Sequence, residues 1–541
     1  MLLTLLTFLP LVGIPLLFLT KSVQAQRLIG LGTSGVSMLL SIWLWLGFDP
    51  AQTGLGPNGG LNFSTAWIQV GDSFQINYAM GVDGISMILI VLTGVLGFLA
   101  ALNAFSIEKN VRGFYAMYLL LLTGMYGTFV AMDLFLFYVF WELMLLPMYF
   151  LIGVWGGPKR EFAAIKFFLY TMVGSVLMLG AFLAIYFQLG TFDIPTILDR
   201  HTEIFEGQST LRIVLFCALF IGFAIKVPLF PFHTWLPLAH VEAPTPISVI
   251  LAGVLLKMGG YGLIRMAYPW FPDAAVELWP WLATLAVVSI IYGALVALAQ
   301  DDWKKLVAYS SVSHMGYVIL GLSSLTQEGI SGAVLQMFSH GLLSGMMFLC
   351  VGVMYDQAHH RDLNRFGGLL KTVPKYTFVA MIAFFGSLGL PGMSGFVAEM
   401  FVFFGAFKSE LANAKVFTIV GTLGVVLGAV YILVMIQKVF LGTPREKPEH
   451  EFHDLSLREG LTLWPLAIMT LALGIYPPPA VDLIDPAILN WRKTYFGSYV
   501  TVDTRTGGLD APREIDTGLL PVREAGYPEW LRAPAPAGEE R

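Results

Sequence analysis

Residues 220–261 of this 541-residue chain read FIGFAIKVPLFPFHTWLPLAHVEAPTPISVILAGVLLKMGGY. The segment begins inside an apolar run that contains Lys226, and Pro228 and Pro231 follow directly. Proline lacks the backbone N–H that a helix needs and clashes with the preceding turn, so the helix is predicted to break there. A second apolar run follows the prolines, and Lys257 lies near its middle. The segment therefore predicts a broken helix accompanied by two lysines in apolar surroundings.

The composition places these two lysines in a membrane. The chain is 56% hydrophobic and only 12% charged, whereas a soluble domain carries about 25% charged residues. A lysine at the bilayer centre costs roughly 3 kcal/mol on insertion scales, so it normally faces a bundle interior or a hydrated cavity. Broken backbone at that depth needs the same setting. The opening segment is therefore predicted to line an ion path, and the absence of any basic run excludes nucleic-acid binding.

Apolar runs of roughly 18 or more residues predict membrane-spanning helices. The fold class that follows is an all-α polytopic membrane protein with about 14 transmembrane helices. The runs lie near 2–20, 29–48, 79–104, 114–131, 134–155, 163–187, 211–233, 246–268, 280–299, 306–323, 330–355, 376–407, 415–441 and 461–477.

The run at 376–407 is too long for one straight span and contains LPGMSG at 390–395, which predicts a second broken helix. One broken helix in each half is typical of inverted repeats. We therefore predict two five-helix repeats of opposite orientation. The predicted parts are three N-terminal helices (1–113), the first repeat (114–268), the second repeat (280–442), a loop with helix 14 (443–480) and a polar, irregular tail (481–541).

Lysines and arginines in the loops predict the orientation. The loops on the side that follows the first helix hold fifteen of them, and the opposite loops hold four, namely Arg200, Arg212, Lys408 and Lys415. The first side is therefore predicted to be cytoplasmic, with both termini on the periplasmic or lumenal side. The membrane is then the bacterial inner membrane or, as the alternative, a thylakoid membrane.

Glu142 lies deep in the fifth run, within FWELMLLPMY (140–149). A nearby opposite charge favours the charged forms of a carboxyl group and an amine, whereas burial disfavours them. We therefore predict that Lys226 carries a proton, which is held when Glu142 approaches and released when it moves away. The alternative is structural, because hydrogen-bonded glutamates and buried ion pairs also occur in bundles that transport nothing.

Four further ionisable residues fall at membrane depth. Lys257 is surrounded by small residues that allow close helix approach, although it could instead snorkel to an interface. His314 and His340 can pass protons near neutral pH, although a lone helix histidine is often a satisfied core group. Glu399 is the only carboxylate in the second broken run. It is a candidate exit-side proton group, and the alternative is a helix-end carboxylate facing the outer phase.

Five motifs together resemble the antiporter-like subunits of respiratory complex I, of the subunit 4 type (bacterial chain M; chain 4 in cyanobacteria and chloroplasts). The resemblance covers roughly residues 80–460 and implies that Glu142, Lys226, Lys257 and Glu399 match the intramembrane proton path of that family. The motifs are FWELMLLPMY (140–149), KVPLFPFHTWLP (226–237), LAGVLLKMG (251–259), AYSSVSHMG (308–316) and LPGMSGF (390–396).

The resemblance implies a proton-translocating membrane-arm subunit of an NAD(P)H–quinone oxidoreductase. Electron transfer to quinone would take place in other subunits, so NAD(P)H, FMN, iron–sulfur clusters and quinone are expected in partner subunits, with no cofactor or metal site in this chain. The expected partners are the other membrane-arm subunits, including sister antiporter-like subunits, together with the lipid bilayer and the transported protons.

Two alternatives stay open from the sequence. The chain could be a subunit of a multisubunit cation/proton antiporter, which shares this fold. It could also be a structural membrane scaffold without an ion path of its own. The number of ionisable residues at membrane depth argues against the scaffold, because such residues are costly there and mark transport paths.

Overall fold

The structure is a computed structural model that describes residues 1–51, 62–71, 74–443, 445 and 452–497. Its helices, labelled here in chain order, are α1 (Leu2–Leu19), α2 (Val23–Leu46), α3 (Gly84–Ser106), α4 (Val111–Val130), α5 (Leu134–Trp155), α6 (Arg160–Leu189), α7 (Ile194–Asp199), α8 (Ser209–Lys226), α9 (Leu236–Glu242), α10 (Thr245–Trp270), α11 (Pro272–Glu277), α12 (Trp279–Leu298), α13 (Trp303–Ser323), α14 (Gln327–Ala358), α15 (Leu369–Thr372), α16 (Pro374–Ser387), α17 (Ser394–Lys408), α18 (Ala414–Val439), α19 (Leu457–Ile475) and α20 (Pro478–Phe496).

The predicted all-α membrane fold is confirmed. Within the described part of the chain, 12 helices are long and apolar enough to cross a membrane, or up to 13 if α19 and α20, bent by 71°, form one span. The remaining predicted span, 376–407, is divided into α16 and α17, each too short to be counted alone. Each of the fourteen predicted runs therefore corresponds to helix, while the division into two five-helix repeats stays a prediction.

The two predicted breaks are present. α8 ends at Lys226, earlier than the predicted end at 233, and helix resumes only at Leu236. Proline explains the early end, because Pro228 and Pro231 lack the N–H groups that a continued helix needs. At the second break the backbone between α16 and α17 turns through Gly389 and Gly392, with φ of 80° and 90°. Glycine suits both positions because other residues rarely adopt a positive φ.

An antiparallel hairpin of β1 (Phe63–Val70) and β2 (Phe74–Met80) occupies a region that the sequence predicts to be loop. The predicted helix start at 79 is therefore wrong, and α3 begins at Gly84, with Asp83 as its cap. Asp133 fastens the hairpin to the bundle: its carboxylate accepts from the backbone N–H of Asn77 at 3.0 Å and caps the N-terminus of α5. Burial raises the pKa of Asp133 to about 6, despite these backbone hydrogen bonds.

The C-terminal region differs from the predicted irregular tail. Residues 478–496 form α20, and Trp491 on this helix donates through Nε1 to the carbonyl of Ile264 at 2.8 Å. Asp485 accepts from the hydroxyl of Ser331 at 2.6 Å. The apolar residues of α20 recur every three or four positions, which favours an amphipathic helix over the irregular tail that the overall composition indicated. The rest of the predicted tail, 498–541, lies outside the described residues.

α10, α13 and α14 form the centre of the bundle and are buried almost throughout, whereas fewer than half of the residues of α1, α2 and α18 are buried. Glycines allow the central helices to approach closely: a Cβ on Gly341 would lie 2.9 Å from the carbonyl oxygen of Gly253. α10 also contains two π-helical turns, Leu251–Leu255 and Leu263–Ala267, on either side of Lys257. Such turns are rare and frequently accompany functional sites.

Candidate functional site

The six predicted path residues lie on six different helices. Lys226 is the last residue of α8, and Lys257, His314 and His340 are near the middle of α10, α13 and α14. Glu399 lies in α17 after the second break, and all five of these side chains are buried. Glu142 in α5 is half-buried. The fold therefore brings five of the six groups into the protein interior.

Lys226 and Glu142 form the first part of the site. The ammonium of Lys226, only 1% exposed, lies 5.2 Å from the ring centroid of Trp141 and 5.6 Å from that of Phe167. Within the described residues its Nζ has no hydrogen-bond partner, and neither does the buried Oε1 of Glu142. Glu142 lies within electrostatic range of Lys226, but no hydrogen bond joins them. The pair is therefore open in this structure.

Glu142 lies beside a local irregularity of α5 that is caused by a proline. Pro147 cannot donate the backbone N–H that would bond to the carbonyl of Leu143, and the regular helix is interrupted at Met144. Glu142 directly precedes Leu143, the residue whose carbonyl lacks this hydrogen bond. The carboxylate is thus placed where the helix is least constrained by its own hydrogen bonds.

Lys257 and His340 form the centre of the site. The Nζ of Lys257 lies 2.7 Å from Nδ1 of His340, and it also donates to the carbonyl of Ala252 in the preceding π-helical turn. Lys257 is fully buried, with 0% of its side chain exposed. The other ring nitrogen of His340, Nε2, has no hydrogen-bond partner among the described residues. The amine of Lys257 and a titratable ring are therefore in direct contact at the core of the bundle.

His314 connects this centre to Glu399. The rings of His314 and His340 have centroids 5.7 Å apart. On its far side, Nδ1 of His314 lies 3.3 Å from Oε1 of Glu399, while Nε2 lies 3.2 Å from the hydroxyl of Ser387 at the end of α16. The tertiary structure thus places Lys257, His340, His314 and Glu399 in one row, in which the two histidine rings are neighbours without a hydrogen bond between them.

The row does not continue without interruption to Lys226, because no hydrogen bond from its Nζ reaches any described residue. α8 and α10 nevertheless pack closely, since a Cβ on Gly259 would lie 2.6 Å from the carbonyl oxygen of Phe223. The six predicted residues are therefore divided into an open pair and a connected row of four, joined by two helices in tight contact.

Two further groups approach the row from the side that is predicted to be cytoplasmic. His240, at the end of α9, is buried with its ring stacked 4.4 Å from Phe348, and both ring nitrogens lack a partner among the described residues. Lys304, which the sequence placed in a loop, is buried and donates to the carbonyl of Ala243 at 2.6 Å. The fold thus places two buried polar side chains on this side of the row.

A buried ion pair that was not predicted from the sequence joins α3 and α10. Arg265 in α10 binds the carboxylate of Asp83, and each side chain is only 4% exposed. The signal was present, because Arg265 is the only arginine inside the predicted span 246–268 and follows Lys257 by eight residues.

The chain is similar to a known family of membrane proteins. The family described as "NADH:quinone oxidoreductase/Mrp antiporter, TM" matches residues 131–427. This range contains all six predicted path residues together with both helix breaks. Among curated proteins, NADH-quinone oxidoreductase subunit M of Rhodobacter capsulatus is 42% identical over 523 residues, which are 94% of this chain and 99% of the relative.

Solved structures share the fold. A chain of respiratory complex I from Thermus thermophilus with bound NADH is 30% identical and superposes with a TM-score of 0.80, covering 92% of this chain and 100% of that one. A chain of the Mrp complex from Dietzia sp. DQ12-45-1b superposes with a TM-score of 0.77 over 92% of this chain and 99% of that one. Its identity of 20% makes it a likeness of fold alone.

Proposed function

This chain belongs to the NADH:quinone oxidoreductase/Mrp antiporter transmembrane family, and we propose that it is the proton-translocating membrane-arm subunit, of the subunit M or chain 4 type, of an NADH–quinone oxidoreductase. Its relatives of that name match it over nearly their whole length. The observation that carries the proposal is the buried row Lys257–His340–His314–Glu399. Ionisable groups are expensive at membrane depth, and a connected row of them is the arrangement that proton transfer needs.

The row can move a proton by steps between neighbouring groups. Lys257 can give a proton to Nδ1 of His340, which is already within hydrogen-bond distance. An imidazole that takes up a proton on one nitrogen can release a proton from the other. The ring-to-ring distance of 5.7 Å means that the next step, to His314, needs a ring rotation or a bridging water. His314 then delivers the proton to Glu399, the terminal acceptor in our proposal.

Glu142 and Lys226 act as the switch that loads the row. When two unit charges close from about 8 Å to about 4 Å at an effective dielectric constant of about 20, their attraction grows by about 2 kcal/mol. Closure of the pair would therefore hold the proton on Lys226, and opening would release it toward Lys257. The Nζ of Lys226 has no hydrogen-bond partner among the described residues, so no competing bond holds the lysine, whereas Glu142 is hydrogen-bonded to Tyr138 and keeps Oε1 free to meet Lys226.

The chain supplies side chains for proton transfer and no redox centre in this proposal. NAD(P)H, FMN, iron–sulfur clusters and quinone are bound by partner subunits, and sister membrane-arm subunits pack against the exposed apolar helices. The excess of loop lysines and arginines on one side supports an orientation with both termini on the outer side. We place the chain in a bacterial inner membrane, so that the termini lie in the periplasm. A thylakoid membrane, with the termini in the lumen, is the alternative.

The test is proton translocation driven by NADH and a quinone in membrane vesicles from cells that lack this chain, with and without complementation. We expect the wild-type chain to restore both assembly on a native gel and proton movement during turnover. Restoration of sodium/proton exchange without any dependence on NADH would instead support a cation/proton antiporter subunit. If the chain improves assembly of the complex, but proton translocation per assembled complex is the same with and without the chain, the chain is a scaffold.

Gly389→Ala is expected to impair proton translocation through its effect on Glu399. A Cβ on Gly389 would lie 2.7 Å from Oε2 of Glu399, and the backbone there has a φ of 80°. The carboxylate must move away from this Cβ, and thus shift relative to His314. We expect NADH-driven proton translocation to fall about tenfold, which corresponds to about 1.4 kcal/mol of barrier.

Gly392→Ala is the matched control for this substitution. It has the same kind of strained backbone, with a φ of 90°, but a Cβ there would meet nothing within 4 Å. Equal losses in the two variants would show that backbone strain at the break, rather than displacement of Glu399, causes the effect.

A further inference from the structure

Arg265, whose guanidinium binds Asp83 at the start of α3, lies on the same helix as Lys257, toward the end that the orientation places outside. Lys257, Tyr261 and Arg265 follow one another at intervals of four residues on α10, so they lie along one side of that helix. The eight residues between Lys257 and Arg265 correspond to about 12 Å along the axis. The guanidinium of Arg265 also lies 5.1 Å from the ring centroid of Tyr261. Lys257, Tyr261 and Arg265 therefore form a line of polar side chains, called the polar file below, that leads toward the outer end of the bundle.

The hydrogen bonds in this file run in a direction that carries no proton. Arg265 donates to the hydroxyl of Ser86 at 3.0 Å, and the hydroxyls of Ser86 and Tyr261 are 3.1 Å apart. Tyr261 donates its single hydroxyl hydrogen to the carbonyl of Phe129 at 3.0 Å, so Ser86 must donate to Tyr261. The chain of donors thus ends on a backbone carbonyl, and it begins on a guanidinium that does not deprotonate in proteins.

Two other features separate Lys257 from the outer end. Its ammonium points back toward the start of α10, because it bonds to the carbonyl of Ala252 and to His340. The outer end itself is covered by α20, which bonds to the carbonyl of Ile264 through Trp491 and lies against Gly84, where a Cβ would clash with the backbone of Leu483. Asp83 is a buried carboxylate at this end of the file, and Arg265 binds it.

We propose that Arg265 prevents a proton leak from Lys257 to the outer phase by keeping Asp83 bound as a carboxylate that accepts no proton. The proton on Lys257 is thereby directed sideways, through His340 and His314, toward Glu399. Arg265 is on this account a positioning residue for the translocation route and is not itself a proton carrier. The inference rests on the proposed function, because a leak matters only if Lys257 carries a proton.

The proposal predicts opposite results for the two halves of one ion pair. Arg265→Gln frees a buried carboxylate next to the hydroxyls of Ser86 and Tyr261, and a lone buried carboxylate tends to take up a proton. We expect this variant to dissipate an imposed pH gradient about tenfold faster than wild type, equivalent to a barrier lower by about 1.4 kcal/mol. Asp83→Asn leaves only a cation, and the double variant leaves no charge, so we expect both to stay as tight as wild type.

The measurement uses the purified whole complex in lipid vesicles containing a pH-sensitive dye, with no electron donor present. Arg212→Gln is the control, because it frees Asp273 from a 2.6 Å ion pair that is more exposed. The proposal would be overturned if vesicles with Arg265→Gln kept the pH gradient as long as wild type. It would also be overturned if Asp83→Asn and the double variant leaked as fast as Arg265→Gln, because the seal would then be purely structural.

Arg265→Lys is a second variant that tests the proposal if the Arg265→Gln complex does not assemble. It keeps the cation, but an ammonium, unlike a guanidinium, can release a proton. Because Asp83 keeps a bound cation, we expect a smaller leak than the increase of about tenfold expected for Arg265→Gln, and an equal or larger leak would contradict the proposal. Failure of the proposed function would appear separately, as wild-type vesicles that translocate no protons when NADH and quinone are added.

Discussion

Lys257→Met is expected to abolish proton translocation by the assembled complex. Lys257 is fully buried, and its Nζ lies 2.7 Å from Nδ1 of His340. Methionine is of similar length but can neither hold nor pass a proton, so the connected row would begin with an empty position. A positioned proton-transfer group contributes about 10² to 10⁴ in rate, and we expect NADH-driven translocation to fall by about a hundredfold.

Lys257→Arg separates the charge of this side chain from its ability to release a proton. Arginine preserves the positive charge but remains protonated in proteins. We expect this variant to assemble, as judged on a native gel, and still to translocate poorly. Lys415→Met is the control, because Lys415 is an exposed residue at the start of α18. Normal translocation in Lys257→Arg would show that the site needs only a cation and that no proton passes through it.

Glu142→Gln and Lys226→Ala are each expected to uncouple electron transfer from proton translocation. The first removes the charge that holds the proton, and the second removes the carrier itself. Because the two groups act as one switch in our proposal, the double variant should lose no more translocation than the worse single variant. The measurement is proton translocation per NADH oxidised in vesicles, with assembly checked on native gels.

The result for the double variant decides whether the two residues act together. Losses that multiply would show that Glu142 and Lys226 contribute independently, contrary to the switch. Glu203→Gln serves as the control, since Glu203 forms an exposed ion pair with Arg200 and should be silent. Normal translocation in both single variants would remove the switch from the mechanism and favour the scaffold hypothesis.

The two helix breaks and the membrane spans could be predicted from local chemistry. Pro228 and Pro231 remove hydrogen-bond donors wherever they occur, and glycines at 389 and 392 permit a positive φ that other residues resist. The hairpin at 63–80 was not predicted, because its first strand is exposed along its whole length and shows no alternation of buried and exposed positions. The fixation of the hairpin by Asp133 depends on a residue 56 positions away from Asn77.

The helix α20 was missed for a different reason. The composition of residues 478–541 as a whole is polar, and this average concealed the apolar face of the first part. That face is buried only because α3, α10 and α14 offer it a surface, as the bond from Trp491 to Ile264 shows. A short amphipathic helix gains most of its stability from such packing and little from its own sequence.

The six candidates for the proton path could be identified from the sequence, because the cost of burying a charge depends on the depth of a residue in an apolar run, which is a local property. Their order and their contacts depend on how the helices pack. Lys257 meets His340 across 83 positions, and the pair of Glu142 and Lys226 is left open. Asp83 and Arg265 meet across 182 positions, because contacts between helices depend on packing that no single segment encodes.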